Sequence, residues 1–142
     1  MTMKILLPVD GSAYTKHMLA WLVTHEEWIN SPHSYTVLTV VPMIPTHAAS
    51  MFSAEQLKSY YDDTAEAIFK PIRKFTAKHD LATAYVGKTG HAAEVISKMA
   101  DKGKFDLIIM GSHGHGALMN LVAGSVATQV LARSKAPILL VR

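Results

Sequence analysis

The chain has 142 residues, enough for one domain with a buried core and too few for two ordinary domains. Its 49% hydrophobic and 18% charged residues argue against intrinsic disorder, and its net charge of +3 comes from scattered basic residues, which argues against a nucleic-acid binder. The absence of cysteine excludes disulfides, a thiolate nucleophile and a Cys-ligated zinc site.

The first half of the chain predicts two strands and two helices. Residues 4–9 form an apolar run without alternation, typical of a strand covered on both faces, and residues 35–41 predict a second strand. Ser12 is placed to cap the intervening helix, which is marked by apolar residues at helical spacing: Met18, Trp21, Leu22, His25, Trp28 and Ile29.

A loop is predicted over residues 42–52, because Pro42 and Pro45 interrupt regular structure. Ser53 and Gln56 have the spacing of a capping box and predict the start of a long helix. Pro71 must kink or restart that helix, since proline lacks the N–H of a helical hydrogen bond.

The second half repeats the alternation of strand and helix. Strands are predicted at residues 83–86, 106–110 and 137–141. Ala92, Val95, Ile96 and Met99 mark a helix ended by Gly103, and a last helix is marked by Val126, Val130 and Leu131. The pattern predicts a single α/β domain over residues 1–142, an open parallel sheet with helices on both faces.

Two loops fall where a parallel sheet binds ligands, at the carboxyl ends of its strands. One follows the first strand and carries Asp10; the other, residues 111–125, holds four of the chain's eight glycines. Glycine lets a backbone approach a ligand closely, and amides at a helix start bind anions. The pattern predicts a phosphate cradle formed by Gly111, Gly114, Gly124, Ser125 and Val126. The alternative is a flexible loop whose glycines serve only turns.

The sequence does not contain three more specific motifs of nucleotide-binding proteins and hydrolases. Gly87-Lys88-Thr89 lacks the first glycine of a P-loop, Gly114-His115-Gly116 lacks the third glycine of a dinucleotide fingerprint, and no G-x-S-x-G elbow occurs. His113 and His115 have no further ligand beside them, which favours local hydrogen bonding or anion contact over metal binding.

The residues Gly111-x-x-Gly114, nine residues, Gly124-Ser125 resemble the G-2x-G-9x-G-(S/T) signature of the universal stress protein family. Residues 8–12 resemble its amino-terminal motif, and the similarity extends to residues 136–142. The resemblance implies a five-stranded, Rossmann-like parallel sheet of order 3-2-1-4-5. It also implies binding of ATP, or another adenine nucleotide, usually with a magnesium ion held by phosphate oxygens.

The same resemblance implies roles for individual residues. Asp10 would meet the adenine–ribose side, backbone groups of Val40 would meet adenine, and Met110 would line the base pocket. Family members are commonly dimers joined through the last strand, which fits an apolar edge at residues 138–141. The other residues implied at the cofactor are Pro8, Gly111, His113, Gly114, His115, Gly124, Ser125 and Val126.

One position departs from the family pattern. Many members have arginine where this chain has His115, so a fixed cation is replaced by a side chain of a type that titrates near neutrality. We hypothesise that nucleotide affinity is weaker here or rises as pH falls, which isothermal titration at two pH values tests.

Three functions remain open: an ATP-binding regulatory stress-response protein acting as a dimer, a slow ATPase, and an interaction dimer without nucleotide. Binding ranks above turnover, because no Walker lysine, second acid near the glycine loop or arginine finger is readable. No apolar run reaches about 18 residues, and the first is too short for a signal peptide. We expect a cytoplasmic homodimer, with neither nucleic acid nor membrane as partner.

Overall fold

The computed structural model describes residues 2–25, 27, 32–115 and 122–142. These residues contain one parallel sheet in the order β3-β2-β1-β4-β5, which confirms the expected topology. The strands are β1 (Lys4–Pro8), β2 (Ser34–Val41), β3 (Thr83–Thr89), β4 (Leu107–Gly111) and β5 (Ile138–Val141).

Helices cover both faces of the sheet, as the sequence predicts. Side chains alternate along a strand, so Ile5 and Leu7 of β1 enter one core cluster while Leu6 enters the other. The first cluster lies under α1 and α3, and the second under α4 and α5. The helices are α1 (Ala13–Thr24), α2 (Thr46–Ala49), α3 (Ala54–Lys78), α4 (Ala92–Lys102) and α5 (Ser125–Arg133).

The observed elements differ from the predicted ones mainly at β3 and in the loop before α3. The third strand was expected to end at Val86, but it continues to Thr89, because β2 pairs with it as far as Val41. The segment 42–52 contains the short helix α2 and is therefore not a loop throughout. Every other predicted strand boundary agrees with the structure to within one residue.

Helix α3 begins with the predicted capping box and then runs through Pro71 without a break, so of the expected kink or restart the restart does not occur. Proline deprives the carbonyl of Ala67 of its helical donor. Ala67 is exposed, so water can take that bond and the helix continues. Gly103 follows α4 as expected, whereas Trp28 and Ile29 lie outside the described residues. None of the helices described here is both long and apolar enough to cross a membrane.

Candidate functional site

A cavity of about 530 Å³ lies at the carboxyl ends of β1, β2 and β4, within the usual size range of small-molecule sites. The chain leaves β1 for helix α1 on one face and leaves β4 for helix α5 on the other, so the strand connections diverge here. All of the residues predicted at the cofactor line this cavity: Pro8, Asp10, Val40, Met110, Gly111, His113, Gly114, His115, Gly124, Ser125 and Val126.

Sequence reasoning missed the parts of the wall that helices contribute. Thr64 and Ile68 of α3 line the cavity from one face, and Ile96 of α4 lines it from the other. Thr15, in the first turn of α1, also lines it. These residues belong to ordinary helical patterns, so only their packing against the sheet reveals them.

The backbone of Val40 faces the cavity because the pairing of β2 with β1 ends at Leu38, two residues before Val40. The ladder between β1 and β2 stops at Pro8 and Leu38, after which the Val9 amide donates to the Leu38 carbonyl at 2.8 Å. The Thr39 hydroxyl then donates to the Val9 carbonyl, also at 2.8 Å. Alternate residues of a strand present their N–H and C=O to the same side, so those of Val40 point to the place that β1 has left.

Asp10 is held by donors from both loops. Its Oδ1 accepts the amide of Ser12 and the hydroxyl of Thr15, each at 2.9 Å, and its Oδ2 accepts the amide of His115 at 3.2 Å. Burial alone would raise the pKa of this carboxyl, but the donors of Ser12 and Thr15 and the His115 amide outweigh it and lower the pKa. Asp10 is therefore ionised near neutral pH and can only accept hydrogen bonds.

Ser12 occupies the position expected for the cap of α1, but its side chain does not cap the helix. Among the described residues its buried hydroxyl makes no hydrogen bond of good geometry, although its closeness to the Asp10 carboxylate helps to lower the pKa of that group, and this corrects the prediction. The physical reason lies in Asp10, whose carboxylate takes the Ser12 amide in an Asx-type turn and brings a negative charge to the positive end of α1.

The glycines of the predicted cradle stand at close approaches within the protein. A Cβ on Gly111 would lie 2.8 Å from the Cβ of Tyr14, and one on Gly114 would lie 2.5 Å from Oδ2 of Asp10. At Gly124 it would lie 3.2 Å from the Cα of His113. None of the three has a positive φ, so the alternative that they serve only turns does not describe them. They let α1, Asp10 and the two halves of the glycine loop approach one another.

The start of α5 supplies backbone donors to the cavity. Gly124 is the N-cap residue, and its own amide donates to the Ser112 carbonyl at 2.7 Å. The next amides, of Ser125 and Val126, belong to the first helical turn and have no partner within the helix. That turn carries no acidic residue, so its positive end is not neutralised there by a side chain.

The two histidines of the glycine loop have different surroundings. The ring of His113 lies 4.9 Å from that of Tyr14, and its Nδ1 is 2.9 Å from the Ser112 hydroxyl. The Nε2 of His115 is 2.8 Å from the Asp10 carbonyl, which requires the proton on Nε2 and leaves Nδ1 for a ligand. His115 thus ties the glycine loop to the loop after β1.

The charge of the cavity wall is sparse. Among the described residues that line it, Asp10 is the one carboxylate, and no lysine or arginine is present. Within the described ranges, no three histidine or acidic side chains come close enough to hold a metal ion. Any charge on a bound anion must therefore be met mainly by backbone amides, histidines or a cation that arrives with the ligand.

Solved structures share this fold. Protein MJ0577 of Methanocaldococcus jannaschii superposes with a TM-score of 0.81 at 27% identity, covering 98% of this chain and 94% of that one. A universal stress protein family protein from Arabidopsis thaliana, with AMP bound, superposes with a TM-score of 0.70 over 98% of this chain and 90% of that one. At 16% identity, the second likeness shows the fold alone.

Sequence comparison gives the family. Universal stress protein Slr1230 of Synechocystis is 27% identical over 139 residues, which make up 98% of this chain. The chain spans only 42% of that relative's length. The model of the universal stress protein family matches residues 1–142. Since this match covers the whole chain, the protein belongs to the universal stress protein family.

Proposed function

We propose that the protein binds an adenine nucleotide, ATP, in the cavity at the strand ends and acts as a regulatory stress-response module. The observation that carries this proposal is the free backbone edge of Val40 in the same cavity as the unneutralised start of α5. The first suits the edge of a base and the second suits phosphates. Asp10 lies in the same wall and suits a sugar hydroxyl, because an ionised carboxylate only accepts.

The base preference follows from the order of donor and acceptor on Val40. The 6-amino group of adenine can donate to the carbonyl, while N1 accepts from the amide. A 6-oxo purine has an acceptor and an N–H at these two places, so it opposes both groups of Val40. We therefore expect inosine triphosphate to bind at least about tenfold more weakly than ATP, since each mismatch leaves a polar group unpaired.

The phosphates would meet the amides of Ser125 and Val126 and the ring of His113. Magnesium, when it is bound, neutralises phosphate charge in a site that offers little cationic side-chain charge of its own. The protein groups fit such an ion only indirectly, because Asp10 already accepts three protein donors. The ion would be held mainly by phosphate oxygens and water.

Binding without rapid turnover is the form of this function that the site favours. Phosphoryl transfer needs cationic stabilisation and a positioned nucleophile. The described wall has neither a lysine nor an arginine, and three protein donors already engage its carboxylate. The AMP bound to the Arabidopsis neighbour supports an adenine nucleotide as the ligand class. We further propose a cytoplasmic homodimer through β5, whose position leaves one sheet edge unpaired among the described strands.

One observation favours a second candidate, an interaction dimer that binds no nucleotide. Gly111, Gly114 and Gly124 are each explained by a close contact within the protein, so the glycine pattern alone does not require phosphate. The two candidates differ in one property, the occupancy of the cavity.

The deciding experiment identifies any nucleotide released when the purified protein is denatured, followed by calorimetric titration of Mg-ATP and Mg-ITP into stripped protein. Bound or rebinding ATP, with weaker ITP, supports the proposal. Absence of both nucleotide and binding heat assigns the protein to the interaction class. Equal affinity for ATP and ITP would contradict recognition of the base by the backbone of Val40.

A matched pair of variants tests the phosphate end. Ser125→Pro removes an amide and a hydroxyl, while Ser125→Ala removes only the hydroxyl. Proline suits this first helical position, and the preceding Gly124 is extended, at φ −69° and ψ 169°, as a residue before proline should be. We expect the proline variant to bind Mg-ATP about tenfold more weakly than the alanine variant. Equal affinities of the two variants would show that the Ser125 amide does not contact the nucleotide.

A further inference from the structure

Thr15 is joined to Asp10 by two hydrogen bonds through one hydroxyl. Its Oγ1 accepts the Asp10 amide at 3.1 Å and donates to Asp10 Oδ1 at 2.9 Å. A hydroxyl has one proton and an amide can only donate, so these directions are fixed by chemistry. Thr15 is 5% exposed, so water has little access to compete for either bond.

The remaining acceptor capacity of Asp10 can be counted from its partners. An ionised carboxylate offers about two acceptor positions on each oxygen. Both positions of Oδ1 are taken, by the Ser12 amide and the Thr15 hydroxyl. Among the described residues Oδ2 accepts one hydrogen bond, from the His115 amide, and it lies beside Gly114 in the cavity wall. The described residues therefore leave one acceptor position, on Oδ2, for a ligand.

We propose that Thr15 is a positioning residue for ligand recognition, which holds Oδ1 of Asp10 against α1 so that Oδ2 offers its last acceptor position to a sugar hydroxyl. The inference deepens the proposed function and rests on it. A phosphate has no proton to give and would be repelled by the carboxylate, so Asp10 also fixes which end of a nucleotide lies beside β1. The site thereby selects ribose over a sugar that lacks the contacted hydroxyl.

The test compares the affinities of ATP, 2′-deoxy-ATP and 3′-deoxy-ATP, each with magnesium, by calorimetry. Wild type is expected to lose about tenfold in affinity for the analogue that lacks the contacted hydroxyl, because hydrogen bonds to charged groups are strong. Thr15→Val keeps the shape but not the hydroxyl, and we expect the preference to fall to about twofold or less. Thr15→Ser should restore it.

Thr76→Val is the matched control for a general loss of stability. Thr76 is equally buried, at 5% exposure, and its hydroxyl bonds to Arg73 and Tyr85 in α3 and β3, away from the cavity. This variant loses a buried threonine hydroxyl as Thr15→Val does, but should keep the sugar preference. A Thr15→Val protein that retains the wild-type preference, or a wild type that binds all three nucleotides equally, would overturn the proposal.

A ligand-free measurement separates this inference from the proposed function. Carbon NMR of the Asp10 carboxyl should show a higher pKa in Thr15→Val than in wild type, with Thr15→Ser close to wild type. An unchanged pKa in Thr15→Val overturns the positioning role whether or not nucleotide binds. If the pKa rises but wild type binds no nucleotide, the proposed function and the sugar preference fail, while the hold of Thr15 on Asp10 stands.

Discussion

Gly114→Ala should destabilise the protein through a single neighbouring atom. The added Cβ would lie 2.5 Å from Oδ2 of Asp10, closer than a real Cβ contact allows, while the next nearest atom among the described residues is the Cγ of Asp10 at 3.7 Å. Asp10 cannot simply turn away, because its Oδ1 is held by Ser12 and Thr15. The substitution must therefore separate the two loops and break the bond from the His115 amide to Oδ2.

The size of the effect follows from two opposing terms. A hydrogen bond to a charged group contributes about 1.5–3 kcal/mol, and its loss destabilises the folded state. Alanine restricts the unfolded chain more than glycine does, which stabilises the protein by about 0.4–1 kcal/mol where φ is compatible. Gly114 does not have a positive φ, so both terms apply. We expect Gly114→Ala to lower the free energy of unfolding by about 0.5–2.6 kcal/mol.

A double-mutant cycle with Asp10→Ala isolates the cause. Without Oδ2 there is no clash and no bond to lose, so Gly114→Ala should become neutral or stabilising by up to about 1 kcal/mol. Urea unfolding followed by circular dichroism measures all four proteins. Gly111→Ala is the control, since its Cβ would meet the Cβ and backbone of Tyr14 and its cost should persist without Asp10. An equal cost of Gly114→Ala in both backgrounds would refute this reasoning.

Three further outcomes are expected. The pKa of Asp10 in the folded protein is lowered from the ordinary value of 3.8. The ionised carboxylate therefore contributes its full stabilisation above pH 3.8 and loses it as the pH falls through the folded pKa. In acid titrations, the stability difference between wild type and Asp10→Asn should shrink below pH 3.8. Ser53→Ala removes the capping box of α3 and should cost about 1 kcal/mol in urea unfolding. The carbonyls of Pro137 and Val141 in β5 accept hydrogen bonds from β4, so the amide of Leu140 points away from the sheet. Leu140→Pro should therefore dissociate a dimer that pairs through this edge, as measured by sedimentation. Leu139→Pro removes an amide that faces β4 and should damage the sheet itself.

The fold was predictable because β1 and β5 carry apolar runs, β2 is rich in β-branched and aromatic residues, and parallel strands require crossover helices. Among the strands, the prediction failed at the end of β3. Gly87, Lys88 and Thr89 are exposed at the sheet edge and have no apolar pattern, so only their pairing with β2 makes them a strand. Tertiary context decides such residues, and a single sequence does not contain it.

The candidate site was predictable where backbone geometry determines residue type. The glycine loop and Asp10 are adjacent in sequence to strand ends, which the fold brings to one edge. Thr15 was not predictable, because its role depends on a bond to Asp10 that forms only when α1 begins with this turn. Ser12 misled the sequence reasoning for the same reason, since its type suits a cap while Asp10 takes its amide.

The glycine pattern predicts a cavity for a reason other than direct contact with phosphate. Two loops can meet at the strand ends only where side chains are absent, at Gly111 against Tyr14 and at Gly114 against Asp10. That meeting brings the start of α5 into the same wall as the free edge of Val40. The glycines therefore determine the shape of the site, whereas amides and Asp10 would bind the ligand. A family member could lose nucleotide through changes in the binding groups and still need every glycine.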